Sequence, residues 1–107
     1  MSKAAYGINI DELMTLLSRQ YQFRFDITRP ICMDCTVLDL TKVALLGEER
    51  KEIHHRVMFD ELTLAYLGKK SLIDMIAGAI ENLQFSWLMA RITYAWETQL
   101  SEAVTND

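Results

Sequence analysis

From residue 10 onward, apolar positions recur at helical spacing. Ile10, Leu13, Met14 and Leu17, with Tyr21 further on, mark one stripe. Asn9 can cap this helix, and Glu12 stands at its third position, as in a capping box. The pattern predicts a helix that ends near Gln20. Residues 21–28 then read Tyr-Gln-Phe-Arg-Phe-Asp-Ile-Thr, a strict apolar/polar alternation rich in aromatic and β-branched residues. That predicts a strand. Arg29-Pro30 ends it, because proline lacks a donor and biases its predecessor away from the α region. Residues 31–37 are expected to form a second short strand or an extended connection, so 21–37 has room for one short β-hairpin.

Beyond Val37 the spacing reads as helical again. Leu38, Val43, Leu45 and Leu46 lead to Gly47, a plausible stop. Residues 48–67 are expected to form a further helix ended by Gly68. Ser71 can cap a last helix, with Asp74 three residues on, and no proline follows. This helix is expected to reach about Leu100, with Gly78 a weak point costing ~1 kcal/mol against alanine. The expected fold is therefore mainly α: one small domain over 1–107, about four helices, a long C-terminal helix, and at most a short hairpin at 21–37.

The last helix carries two apolar stripes when its residues are placed 100° apart. Leu72, Ile76, Ala79, Ile80, Leu83, Trp87, Ala90 and Tyr94 form an ordinary core face. Phe85, Leu88, Met89, Ile92 and Trp96 form a second face at spacing i, i+3, i+4, i+7, i+11, and only in the C-terminal half. On the same side, the first half carries Asp74 and Glu81. A helix that is apolar on two sides should be covered on two sides. A chain this short buries only about two-thirds of the surface its unfolded form exposes. The second stripe is thus expected to be a self-association surface, a dimer being the first expectation, unless 48–67 and the N-terminal part cover both faces.

Composition agrees with a folded domain. Half of the 107 residues are apolar and 24% are charged, with four glycines and one proline, which excludes disordered and collagen-like classes. The net charge of −4 is unevenly spread. Residues 1–47 and 48–70 each carry five basic and five acidic groups. Residues 71–107 carry only Arg91 against Asp74, Glu81, Glu97, Glu102 and Asp107. The only basic pairs are Arg50-Lys51 and Lys69-Lys70, so nucleic-acid binding is not expected. Met1-Ser-Lys-Ala-Ala-Tyr-Gly has no hydrophobic run or cleavage pattern, and residues 72–96 are broken by Asp74, Glu81, Asn82, Gln84 and Arg91. Neither a secretory leader nor a membrane span is expected. Two cysteines in that setting imply reduced thiols and a cytoplasmic protein.

Four motifs bear on chemistry. Cys32-Met-Asp-Cys35 is a CxxC, half of a zinc site or a redox pair, but no second ligand pair accompanies it. Buried small hydrophobes are the simpler role for these thiols. Glu52-Ile-His-His55 contains ExxH, which on a helix would put Glu52 and His55 on one face with Glu48. Glu48-Glu49-Arg-Lys-Glu52 is EExxE. It resembles the first half of the magnesium site in the all-α MazG-like nucleotide pyrophosphohydrolases, where helix-borne carboxylates gather Mg²⁺ around a diphosphate. The family's second half, ExxD, is missing: Leu64 stands three after Glu61, and Ser71 three before Asp74. Finally, Arg19, Arg24, Arg29 and Arg56 offer anion contacts. No P-loop, GxGxxG, GxSxG or HExxH occurs.

The expected function is a non-enzymatic, self-associating helical protein that regulates, inhibits or chaperones a protein partner, with no cofactor or metal. Phe85, Leu88, Met89, Ile92 and Trp96 would form its anchor cluster. The alternative is a small metal-dependent nucleotide hydrolase, or a ligand-sequestering oligomer, using Glu48, Glu49, Glu52 and His55 near a subunit interface.

Overall fold

Of the strand expected over 21–28, only residues 24–28 form one, since the preceding helix takes in Tyr21, and the sheet they begin continues far beyond 37. The computed structural model describes residues 4–5, 8–30 and 35–105. Two short strands, β1 (Ala4–Ala5) and β2 (Ile8–Asn9), pair antiparallel and lead into helix α1 (Ile10–Tyr21). Asn9 stands immediately before α1, where a cap belongs. Strands β3 (Arg24–Thr28), β4 (Cys35–Leu46) and β5 (Glu49–Asp60) form an antiparallel sheet with β4 in the middle. The chain closes with α2 (Glu61–Thr105), interrupted at Gly68, whose φ of +83° is non-helical.

The mainly-α expectation is therefore wrong. The protein is a mixed α/β domain with two helices, in which the three-stranded sheet packs against the long C-terminal helix. The expected helices over 37–46 and 48–67 are strands β4 and β5, apart from residues 61–67, which begin α2. Gly47 is the reason. It is the first residue of the two-residue loop Gly47-Glu48, its φ is +67°, and Leu46 pairs with Glu49 across it. A positive φ at that place is what a tight hairpin requires, so Gly47 reverses a strand where it had been read as ending a helix. Ser71 lies within α2, three residues beyond the break at Gly68.

The sheet's inner face shows why the alternation was obscure. Leu38, Leu40, Lys42 and Ala44 of β4 are buried in turn, and Ile53, His55, Val57 and Phe59 of β5 point the same way. Two inward positions are thus Lys and His. Outward positions include Val43, Leu45 and Met58, of which Leu45 and Met58 are exposed. Polar and apolar identities are exchanged at enough places to blur a period of two.

One core joins sheet and helices. Ile10 and Met14 of α1 meet Phe23, Leu38, Leu40 and Phe59, and Leu72, Ile76, Ala79, Ile80 and Leu83 of α2 close over them. Met14, Leu38, Leu40, Leu72 and Leu83 are fully buried, each contributing about 1.5–3 kcal/mol relative to exposure. The end of α1 is shaped by Gln22, whose φ is +56°. The Phe23 N–H donates to the Ser18 carbonyl at 3.1 Å, the long bond of a Schellman cap. Glutamine holds a backbone position that glycine fills without strain. Gln22→Gly is expected to stabilise the fold by about 0.5–1 kcal/mol, read as a higher urea midpoint at unchanged slope.

Candidate functional site

The outward side of α2 is where the fold leaves apolar chemistry uncovered. The core face of α2 packs on the sheet as its periodicity predicts, from Leu72 to Leu83. Further along, the Trp87 indole N–H donates to the Val43 carbonyl at 2.9 Å. β3 reaches only Thr41 on that side of β4, so the indole gives a partner to a carbonyl beyond the end of β3. The Tyr94 hydroxyl lies against Gly47 at the hairpin tip. This contact marks the end of the sheet.

Residues 95–105 continue as helix beyond that point, an arm of about 16 Å. The molecule is accordingly 62 Å long with a radius of gyration of 18.0 Å. A globular domain of this length has about 13 Å.

Opposite the core face stand Phe85, Leu88, Met89, Ile92 and Trp96. Together with Leu100 they expose between 44% and 64% of their surface. The sheet packs on the other side of α2, and β5 approaches only the edge of this stripe, at Phe85 and Met89. Leu100 follows Trp96 by four residues and extends the same face onto the arm. Two flanking grooves border it. One, of about 640 Å³, runs between Leu13, Leu17 and Tyr21 of α1 and Ile73, Ala77 and Ile80 of α2, with Glu81 and Gln84 as its polar members. Among the described residues, the Gln84 Oε1 is buried without a hydrogen-bond partner. The other, of about 720 Å³, lies between the hairpin end of the sheet and Phe85, Met89, Thr93 and Glu97.

The chain matches no family model, no curated protein and no solved structure. The site must be judged by its own chemistry.

The motifs read for metal chemistry are taken apart by the strands. Glu48 lies in the hairpin turn, and Glu49, Glu52 and His55 lie on β5. Residues three apart on a strand face opposite ways, so Glu52 points outward while His55 points inward. The helical face that ExxH and EExxE would need does not form. Among the described residues, no three His, Cys, Asp or Glu side chains gather as a metal-holding group. Cys35 is a half-buried free thiol at the start of β4, and Cys32 lies outside the described residues.

The sheet's outer face instead carries ion pairs that period-two spacing brings together. Arg24 Nη2 lies 3.2 Å from Glu52 Oε1. His54 Nε2 lies 3.5 Å from Glu52 Oε2, and its Nδ1 is 3.1 Å from Thr41 Oγ1. Arg56 donates to Asp39 at 2.7 Å, and that hydrogen bond and charge raise its already high pKa. Arg29 pairs with Asp11 at 3.8 Å. Three of the four candidate anion-binding arginines are thus matched to carboxylates at separate places, and Arg19 sits on α1. They do not converge. These exposed pairs are worth little individually.

Among the described residues, no helix is long and apolar enough to cross a membrane. The groove residues escaped the sequence reading, although two converging stripes on α1 and α2 were the available signal. Gln84 carried no signal of its own.

Proposed function

We propose that this protein is a non-enzymatic, self-associating interaction protein, and that a second copy of the chain is the first partner of its outward α2 face. The supporting observation is the uncovered stripe Phe85, Leu88, Met89, Ile92 and Trp96 on a helix whose other side is already satisfied. Large apolar patches of this kind are uncommon on monomers. Phenylalanine, tryptophan and methionine are residues that interface centres favour. The nucleotide-hydrolase alternative loses its footing, because β5 separates Glu52 from His55.

The stripe alone is smaller than a stable interface. Its five side chains expose on the order of 500 Å² per copy, where about 800 Å² per partner is usual. A stable pair therefore needs further surface next to the stripe. Native mass spectrometry and light scattering at about 20 μM should give twice the 12.4 kDa of one chain. A single-chain mass at that concentration would overturn the proposal.

A further inference from the structure

We infer that two copies join with their α2 helices antiparallel, so that the projecting arm of each covers the α1–α2 groove flank of the other. This orientation rests on the self-association proposed above.

The seam residues Phe85, Met89, Ile92 and Trp96 are spaced four, three and four apart. That is the spacing of helices packed at about 20°, with side chains of one seated between those of the other. It also reads the same in both directions. A two-fold axis between Ala90 and Arg91 sets Phe85 against Trp96 and Met89 against Ile92, aromatic on aromatic and aliphatic on aliphatic. The same residues face each other in both copies, as a closed dimer demands.

Surface area favours this direction over the parallel one. Phe85 and Trp96 offer on the order of 250 Å² together at their observed exposure, and the whole stripe about 500 Å². A stable interface hides about 800 Å² per partner. In a parallel pair the two arms leave the sheets side by side, and the groove at Ile73, Ala77 and Ile80 stays open. Antiparallel, residues 95–105 of one copy run beside residues 86 down to 76 of the other, because facing positions sum to about 181. This segment holds Ala77, Glu81 and Gln84. The arm then covers the groove flank, and the groove flank covers the arm.

The helix dipoles favour the same arrangement. A parallel pair aligns two helix dipoles. The antiparallel pair opposes them.

Spin labels decide the orientation. In a Cys32→Ser, Cys35→Ser background, Glu102→Cys is labelled on the arm and Asp74→Cys near the start of the core face. Antiparallel helices put the two Glu102 labels about 35 Å apart along the axis, 23 residues at 1.5 Å each. Mixed with Asp74-labelled chains, the same arm gives a distance under about 20 Å, because position 102 falls opposite position 79. Parallel helices reverse the two results: a short distance between like labels and about 40 Å in the mixture. A dimeric mass with the parallel pattern overturns the orientation and leaves self-association standing. A monomeric mass with no dipolar signal overturns both. Unchanged circular dichroism of the labelled chains confirms that the fold is intact in either case.

Discussion

Ile92→Glu should yield a folded monomer. Ile92 lies in the middle of the outward stripe, more than half exposed, on the side of α2 away from the sheet. In the isolated chain the change touches no core residue, so its effect on folding should stay within about 0.5 kcal/mol. In the pair, each copy would bury a carboxylate against Met89 of the other, with no cation facing it. Burying an unpaired charge costs several kcal/mol, and two are introduced by symmetry. The dissociation constant should rise at least 1,000-fold, about 4 kcal/mol. Light scattering should then report one chain where the parent shows two, with the helical spectrum unchanged. A charge-removing control on the outer sheet face, Glu52→Ala, should keep the dimeric mass. If Ile92→Glu left the mass untouched, the stripe would not be the interface.

Lys42→Ala should cost about 2 kcal/mol of folding stability, the largest loss expected from any single charged residue here. Lys42 sits on the inner face of β4 with only 7% of its surface exposed. Its ammonium donates to the Tyr21 carbonyl at 2.7 Å, at the end of α1, and lies 4.5 Å from the centre of the Trp87 ring. Arg91 stacks on the same indole at 4.7 Å. One side chain thus ties α1, β4 and α2 together. Alanine removes the packed stem, leaves the Tyr21 carbonyl short of a donor, and frees Trp87 on one side. Lys42→Met keeps most of the volume and should lose less.

Burial lowers the pKa of Lys42 from 10.5. The unfolded chain therefore holds the extra proton between the lowered value and 10.5. Stability should rise with pH through that window, as the cost of burying the charge is relieved. Urea unfolding at pH 8 and pH 10 should show this gain in the parent relative to Lys42→Met, which has no group to titrate there. Equal pH dependence in both proteins would mean that the Lys42 ammonium is as well solvated in the folded state as in the unfolded one.

How much of this was readable beforehand depended on the period of each segment. The stripes of α1 and of the last helix are long and regular, and Met14, Leu72, Ile76 and Leu83 are buried as their spacing requires. Strand β3 alternates without exception and was equally plain. β4 and β5 were misread because Lys42 and His55 occupy inward positions while Leu45 and Met58 face out. Each is accommodated by a tertiary neighbour: Lys42 reaches the end of α1, which lies 21 residues back in the chain. No local pattern announces such a partner. The motif readings failed with the period. Glu52 and His55 share a face only on a helix, and the neighbour that Glu52 meets on the same face of the strand is His54.

Two apolar stripes on the last helix are a property of the sequence alone. They follow from residue spacing and from the absence of any proline after Leu72. Which stripe is covered is decided only in three dimensions. The hairpin at Gly47 sets the length of the sheet, so the sheet ends beside Tyr94, and a three-stranded layer covers a helix on one side. Phe85, Ile92 and Trp96 remain outside because, among the described residues, no second layer lies over them.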